Sequence, residues 1–430
     1  MKIKFFFFSF LMSILFLAGC GGPQQEQSAA EKQGKTEIVF YTMQLSPTFD
    51  DYINDMISEF ENTHPDIKIE WRDFPAQDYE TKLLTSFMGE SVPDVMNLTP
   101  LVIPKFIERD LLLPMGDLLT QERRDAYFQN VLYGAGEFND KLYAVPWYLA
   151  AAVSMVNMDI FRKAGLTEED IPKTFEEMYE VAEIIHEKTD KIPFYPIYTE
   201  QGTLMNYFVD ADIPITNEEE TKALFNTPRA EEVFEFWADF YKDGLAPSAA
   251  ITAMHRQPIE AYKGGRLAIF HTGPQFLKHI KSDAPDVYES TVVRPRLHWE
   301  ENKVYTIDVH VLSIARQSEN PKLAAEFAAF VTNAENQLKL SKMTTVIPSV
   351  KKAVEDSYFT EVEDTPEGHA REISVDVIKQ GKVVLPPRKH SGKLMRVLDH
   401  VSERVLTDQM TVKEALDYAE KQWNEILQEP

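Results

Sequence analysis

The chain has 430 residues, 44% of them apolar and 27 of them Phe, enough to build more than one core and two or three domain-sized units. Lys and Arg number 44 against 69 Asp and Glu, a formal charge of −25, which argues against a nucleic-acid partner and against flat docking on anionic lipid. A single cysteine leaves no partner for an internal disulfide.

Lys2 and Lys4 precede an apolar run from Phe5 to Leu17, and Ala18-Gly19 then leads into Cys20. This is the tripartite pattern of a secretory signal. Its end resembles a bacterial lipoprotein signal, in which the cysteine is acylated and becomes the new N-terminus. Residues 1–19 are therefore expected to be a signal peptide and Cys20 a lipidation site, which places the chain on the extracytoplasmic face of a cell membrane. The apolar run is too short to span a bilayer, and no later stretch approaches the roughly 18 apolar residues that requires. Residues 20–35 begin with Cys20 and continue as GGPQQEQSAAEKQGK, the composition of a flexible tether.

Ile38-Val39-Phe40-Tyr41 is a short apolar run suited to a buried strand. Phe49, Tyr52, Ile53, Met56, Ile57 and Phe60 then follow at helical spacing, and Asn62-Thr63-His64-Pro65 stops that helix. Ile67, Ile69 and Trp71 alternate with charged residues as in a strand. A helix is expected from about Tyr79 to Met88, and a third strand at Pro93–Leu98. This alternation predicts βαβ units and a parallel sheet covered by helices. Further helices start at Thr174 with Glu177, at Thr227-Pro228, at Asn320-Pro321 and at Thr411 with Glu414. Trp71, Trp237 and Trp423 fall on regular stripes and are expected in cores, whereas Trp299 is expected in a surface loop, with a place at the cleft rim as the alternative.

The order of these pieces resembles the family 1 extracellular solute-binding proteins, which deliver sugars to ABC importers. The resemblance runs from about Thr36 to Leu427. It is carried by His64-Pro65-Asp66-Ile67, Gly89–Val95, Tyr143–Tyr148 with Asn157–Phe161, Gly264–Ile269 with Gly273-Pro274, Ser318–Phe327 and Met410–Leu416. It implies an α/β, two-lobed periplasmic-binding-protein-like fold, each lobe a mostly parallel sheet flanked by helices, with the ligand cleft between lobes. The first lobe is expected to hold 36–146 plus 312–345, and the second 150–310 plus 350–430. Membrane permease subunits are the implied protein partners, contacted by a monomer whose only membrane attachment is its lipid. One departure is that Tyr305–His310 stands where the family often has a Gly-rich strand entry, so bulkier polar groups border the cleft.

A sugar presents hydroxyls around its rim and apolar faces above and below. A binder needs aromatic plates together with amides and carboxylates in the ring plane. In open α/β sheets ligands lie beyond the carboxyl ends of strands. From the first lobe this selects Tyr41 and Gln44, Phe74 and Tyr79, Asn97 and Thr99, and Trp147 with Tyr148; from the second, Asn206, Tyr207 and Gln275, together with Asp308 and His310. Each has a plainer structural reading: Phe74 and Tyr207 as packing, Asn97 and Thr99 as turn caps, His310 as a satisfied buried histidine.

Three rivals stand beside a carbohydrate receptor. A surface-anchored glycoside hydrolase needs two carboxylates across a scissile bond, which 69 acidic residues neither support nor exclude. The chain has no G-x-S-x-G, H-E-x-x-H or phosphate-loop motif, so no enzyme activity, cofactor or metal is expected. A receptor for a glycerol phosphodiester, polyamine or peptide would draw on Arg388, Lys389 and His390 for phosphate, or on Asp308 for an amine. A purely structural lipoprotein would not need two lobes.

Overall fold

The computed structural model describes residues 35–429, apart from 90, 201, 301–302 and 384–389. The signal peptide, Cys20 and all but the last residue of the tether therefore lie outside the described residues, as do Arg388 and Lys389.

The strands, in chain order, are β1 (Thr36–Met43), β2 (Ile67–Phe74), β3 (Val95–Leu98), β4 (Glu137–Phe138), β5 (Lys141–Leu142), β6 (Ala144–Ala151) and β7 (Val153–Asn157). They continue with β8 (Ile192–Phe194), β9 (Leu267–Thr272), β10 (Thr291–Pro295), β11 (Thr306–Ile314), β12 (Ile347–Pro348) and β13 (Lys382–Val383). The first sheet has the order β12-β6-β11-β3-β1-β2, with β13 also paired to β11; the second has the order β10-β7-β9-β8. Two sheets with separate cores make a two-lobed α/β fold. The chain passes from the first sheet to the second at residue 152, between β6 and β7, and returns through 296–305, between β10 and β11.

Both sheets are mixed rather than mostly parallel. β1 runs parallel to β2 and β3, as the βαβ alternation requires, and β8 runs parallel to β9. The strands next to the crossings pair the other way: β11 is antiparallel to β3 and β6, and β7 is antiparallel to β9 and β10. A segment that re-enters a sheet from the other lobe is not constrained to the direction that a crossover helix imposes.

One face of the first sheet packs Phe40, Val145, Trp147, Leu312 and Ile314 against the helices Asp50–Thr63 and Pro321–Val331. The other face packs Tyr41, Met96, Leu149, Val309 and Val311 against Ala76–Ser86, Gln129–Gly136 and Pro366–Gln380. Helices Phe175–Lys188, Pro228–Lys242, Ser391–Leu406 and Val412–Leu427 form the main core of the second lobe around Trp237 and Trp423. Trp299 joins that core, 3% exposed and within 5.0 Å of Phe175, and is not in a surface loop.

The lobe boundaries also move. All of β11 from Thr306 belongs to the first sheet, and so does β6 to Ala151. Val350, Ala353, Phe359, Val375, Val377 and Ile378 pack in the first lobe's cores and β13 pairs with β11, so much of 350–383 belongs to the first lobe, against the expected second-lobe segment 350–430. The strand that carries Asp308 and His310 therefore belongs to the first lobe.

Candidate functional site

At the end of the first sheet where β1 and β3 terminate lies a cavity of about 810 Å³, within the range of roughly 300–1,000 Å³ usual for ligand sites. Of the residues selected from the sequence, Gln44, Thr99, Tyr148, Gln275, Asp308 and His310 line it. Only Gln275 comes from the second lobe, at the turn between β9 and the helix Phe276–Asp283.

The aromatic wall depends on a bulge. His310 pairs with Tyr148 and Val311 with Pro146, so Trp147 is an extra residue in β6. In a regular strand, neighbours point to opposite faces. The extra residue lets Trp147 and Tyr148 share one face, the re-aiming that bulges produce. Trp147 is sealed in the core and Tyr148 stands beyond it, ring centroids 5.2 Å apart and edge to face. Tyr148 in turn stacks on His310, centroids 4.6 Å apart with 15° between planes. Burial pushes the Tyr148 phenol pKa upward, so it stays a neutral donor. Burial drops His310 to about 4, so its imidazole is neutral in any ordinary medium.

Asp308 lies two residues before His310 on the same strand face, opposite Ala150, whose small side chain leaves room beside the carboxylate. Solvent reaches Asp308 through the cavity mouth, yet protein encloses the rest of it. That enclosure raises its carboxyl pKa, and Arg296 and then His255 pull it back down. Arg296 is itself held at the crossing: its Nη1 donates to Asp210 Oδ1 at 2.9 Å and to Thr306 Oγ1 at 3.0 Å, while Nη2 donates to the second oxygen of Asp210.

Gln44 opens the turn after β1 with φ 55°, a left-handed conformation that costs a non-glycine residue of order 1 kcal/mol. Asp73 holds this turn. Its Oδ1 accepts from Thr42 Oγ1 at 2.6 Å and Leu45 N at 3.0 Å, and its Oδ2 accepts from Ser46 N at 3.1 Å. Sequence reasoning passed over Asp73. The available signal was an acidic residue at a strand end beside a tight turn. It also passed over Phe49, Leu340, Thr344 and Val346, which are among the other residues of the wall; most are apolar and read as ordinary core.

Seven selected residues do not line the cavity. Tyr41, Phe74 and Tyr79 cluster with the other face of the first sheet, Tyr79 Oη donating to the Tyr41 carbonyl at 3.1 Å. Asn97 is fully buried within β3, and Trp147 is fully buried beneath Tyr148. Tyr207 stacks on Trp237, centroids 4.4 Å apart, and its hydroxyl donates to the Ile197 carbonyl at 2.8 Å. Asn206 is exposed on the same helix, Thr203–Asp210, away from the cavity. No group of three or more metal-ligating side chains occurs among the described residues.

Residues 46–338 match the family model described as bacterial extracellular solute-binding protein. The chain belongs to this family. Similar solute-binding relatives are the arabinooligosaccharide-binding protein of Bacillus subtilis (strain 168), 23% identical over 76% of this chain and 75% of that protein, and the galactooligosaccharide-binding protein of the same organism, 24% identical over 80% and 79%. Among solved structures, a Synechococcus sp. MITs9220 protein described as an oligosaccharide periplasmic-binding protein superposes with a TM-score of 0.82. It is 28% identical and covers 91% of this chain and 98% of its own. The body that carries both sheets and the cavity, from Thr36 onward, is thus that of a solute-binding protein.

Proposed function

We propose that the chain captures an oligosaccharide in the cavity between its lobes and delivers it to the permease subunits of an ABC importer. The observation that carries this reading is the stacked Tyr148–His310 pair, flanked by Gln44, Thr99, Asp308 and Gln275. A flat aromatic plate fits the apolar face of a pyranose or furanose ring, and the amides, hydroxyl and carboxylate serve its hydroxyls. A cavity of about 810 Å³ is roomy enough for more than one sugar unit. The two Bacillus relatives, named for arabino- and galactooligosaccharides, support the same ligand class.

Closure of the second lobe over the plate would bring Gln275 and its neighbours onto the ligand, the hinge motion by which such receptors enclose solutes. The reading assigns no catalytic step to any residue. A lipid on Cys20 and the tether of residues 20–35 would keep the monomeric receptor near its permease, which raises its effective concentration there. A thermal-shift screen tests the ligand class, because a ligand that binds only the native state raises Tm. Arabino- or galactooligosaccharides are expected to raise it. A rise only with polyamines or glycerol phosphodiesters would sink the carbohydrate reading.

A further inference from the structure

Asn97 is fully buried on β3, beside β11, and does not reach the cavity, yet its side chain touches a residue that does. Its Nδ2 donates to the Val311 carbonyl at 3.2 Å and lies 3.5 Å from His310 Nδ1. An amide nitrogen carries two hydrogens and no acceptor, so once one hydrogen goes to Val311 the other is left for His310. The nitrogen it meets must then offer a lone pair. A neutral imidazole has one protonated and one bare nitrogen, so a bare Nδ1 puts the proton on Nε2.

We propose that Asn97 is a positioning residue that fixes His310 as the Nε2–H tautomer, so that the cavity presents a hydrogen-bond donor to an acceptor oxygen of the ligand. This rests on the receptor reading for its ligand but not for its geometry. The ring cannot turn freely, because it is stacked on Tyr148. The groups facing it are the Tyr148 phenol, the Asn97 amide and, two residues along its own strand, the Asp308 carboxylate. The drop of the imidazole to about 4 has burial as its cause. The donor therefore persists across neutral and mildly acid media, and sugar affinity should be flat there as far as His310 governs it. Asn97 thereby gains a role that its core position conceals.

Nitrogen-15 spectra of the histidine side chains test this on the whole chain, with His310 assigned by its absence in His310→Gln. The expected spectrum shows His310 with a protonated Nε2 and a bare Nδ1, unchanged until the pH falls towards about 4. A protonated Nδ1 in the neutral ring, or titration in the ordinary histidine range, overturns the proposal whether or not any sugar binds. Asn97→Asp supplies the second arm. A carboxylate at 97 would accept from Nδ1–H, reverse the tautomer and raise the imidazole pKa. Affinity for arabinotriose or galactotriose should then fall by about tenfold, the worth of one hydrogen bond, and become pH-dependent. If Asn97→Asp leaves both tautomer and pH profile as in the wild type, the positioning role is wrong. If the expected tautomer is found but neither sugar binds the wild type, the receptor reading fails for those sugars while the placement of the proton stands.

Discussion

Trp147 and Tyr148 are neighbours in sequence with different roles in the fold. The bulge in β6 gives both the same face, but Trp147 packs on Phe40, centroids 6.0 Å apart, beneath the cavity floor. Deleting a buried indole removes transfer free energy and leaves a void, so Trp147→Ala should cost about 3–5 kcal/mol in a denaturant titration. It should lose ligand affinity only through disorder of Tyr148 above it. A stability within about 0.5 kcal/mol of wild type, the range usual for surface substitutions, would contradict this placement. His310 gives the residue scale a pH signature. Its imidazole titrates near 6.5 when exposed and at about 4 in the fold. The unfolded chain therefore takes up a proton that the folded chain refuses, and His310's contribution to stability is lost as pH falls from about 6.5 to about 4. Replacing His310 by Gln should reduce the pH dependence of Tm in that window without abolishing it, because burial also holds His271 well below the ordinary histidine range; an unchanged slope would contradict the assignment of this dependence to His310. Selecting residues just past strand ends found Gln44 and Thr99, whereas Tyr148, expected at a strand end or turn, lies inside β6. It could not separate Trp147 from Tyr148, or Asn97 from Thr99, because strand parity and the bulge are set by pairing with β11, far away in sequence.

At the scale of elements, local signals were legible where the chemistry is local. Thr411 and Glu414 form the expected capping box before Val412–Leu427: Glu414 N donates to Thr411 Oγ1 at 3.2 Å, and Thr411 N donates to Glu414 Oε2 at 2.9 Å. Thr174 caps Phe175–Lys188 as expected, but Glu177 accepts from Lys173 N at 2.6 Å instead of closing the box. The same helix carries Trp423 near its other end, whose Nε1 donates to the Leu394 carbonyl at 3.0 Å and ties the helix to the core of the second lobe. Thr411→Ala should lower stability by about 1 kcal/mol. A loss below a few tenths of a kcal/mol would show that Glu414 and the backbone suffice. The βαβ alternation revealed β1, β2 and β3 in order. The antiparallel placement of β11 was not legible, since nothing local in Tyr305–His310 distinguishes a cleft-edge loop from a central strand.

Across the whole molecule, the two-lobed plan follows from the order of elements, while its boundaries follow from packing. Asp308 and His310, expected from the second lobe, sit on a first-lobe strand, so the first sheet supplies most of the cavity wall and the second lobe adds Gln275. The aromatic plate is thus assembled within one sheet, by the pairing of β6 with β11, and takes no residue from the second lobe. Calorimetric titration of arabino- and galactooligosaccharides into the wild-type chain and Tyr148→Ala tests this account most directly. The wild type should bind at least one of them saturably, and Tyr148→Ala, half-buried in the cavity wall and checked for an intact fold by its Tm, should weaken that binding about tenfold or more. Equal affinity in the two proteins, or no binding of any oligosaccharide to the wild type, would contradict it.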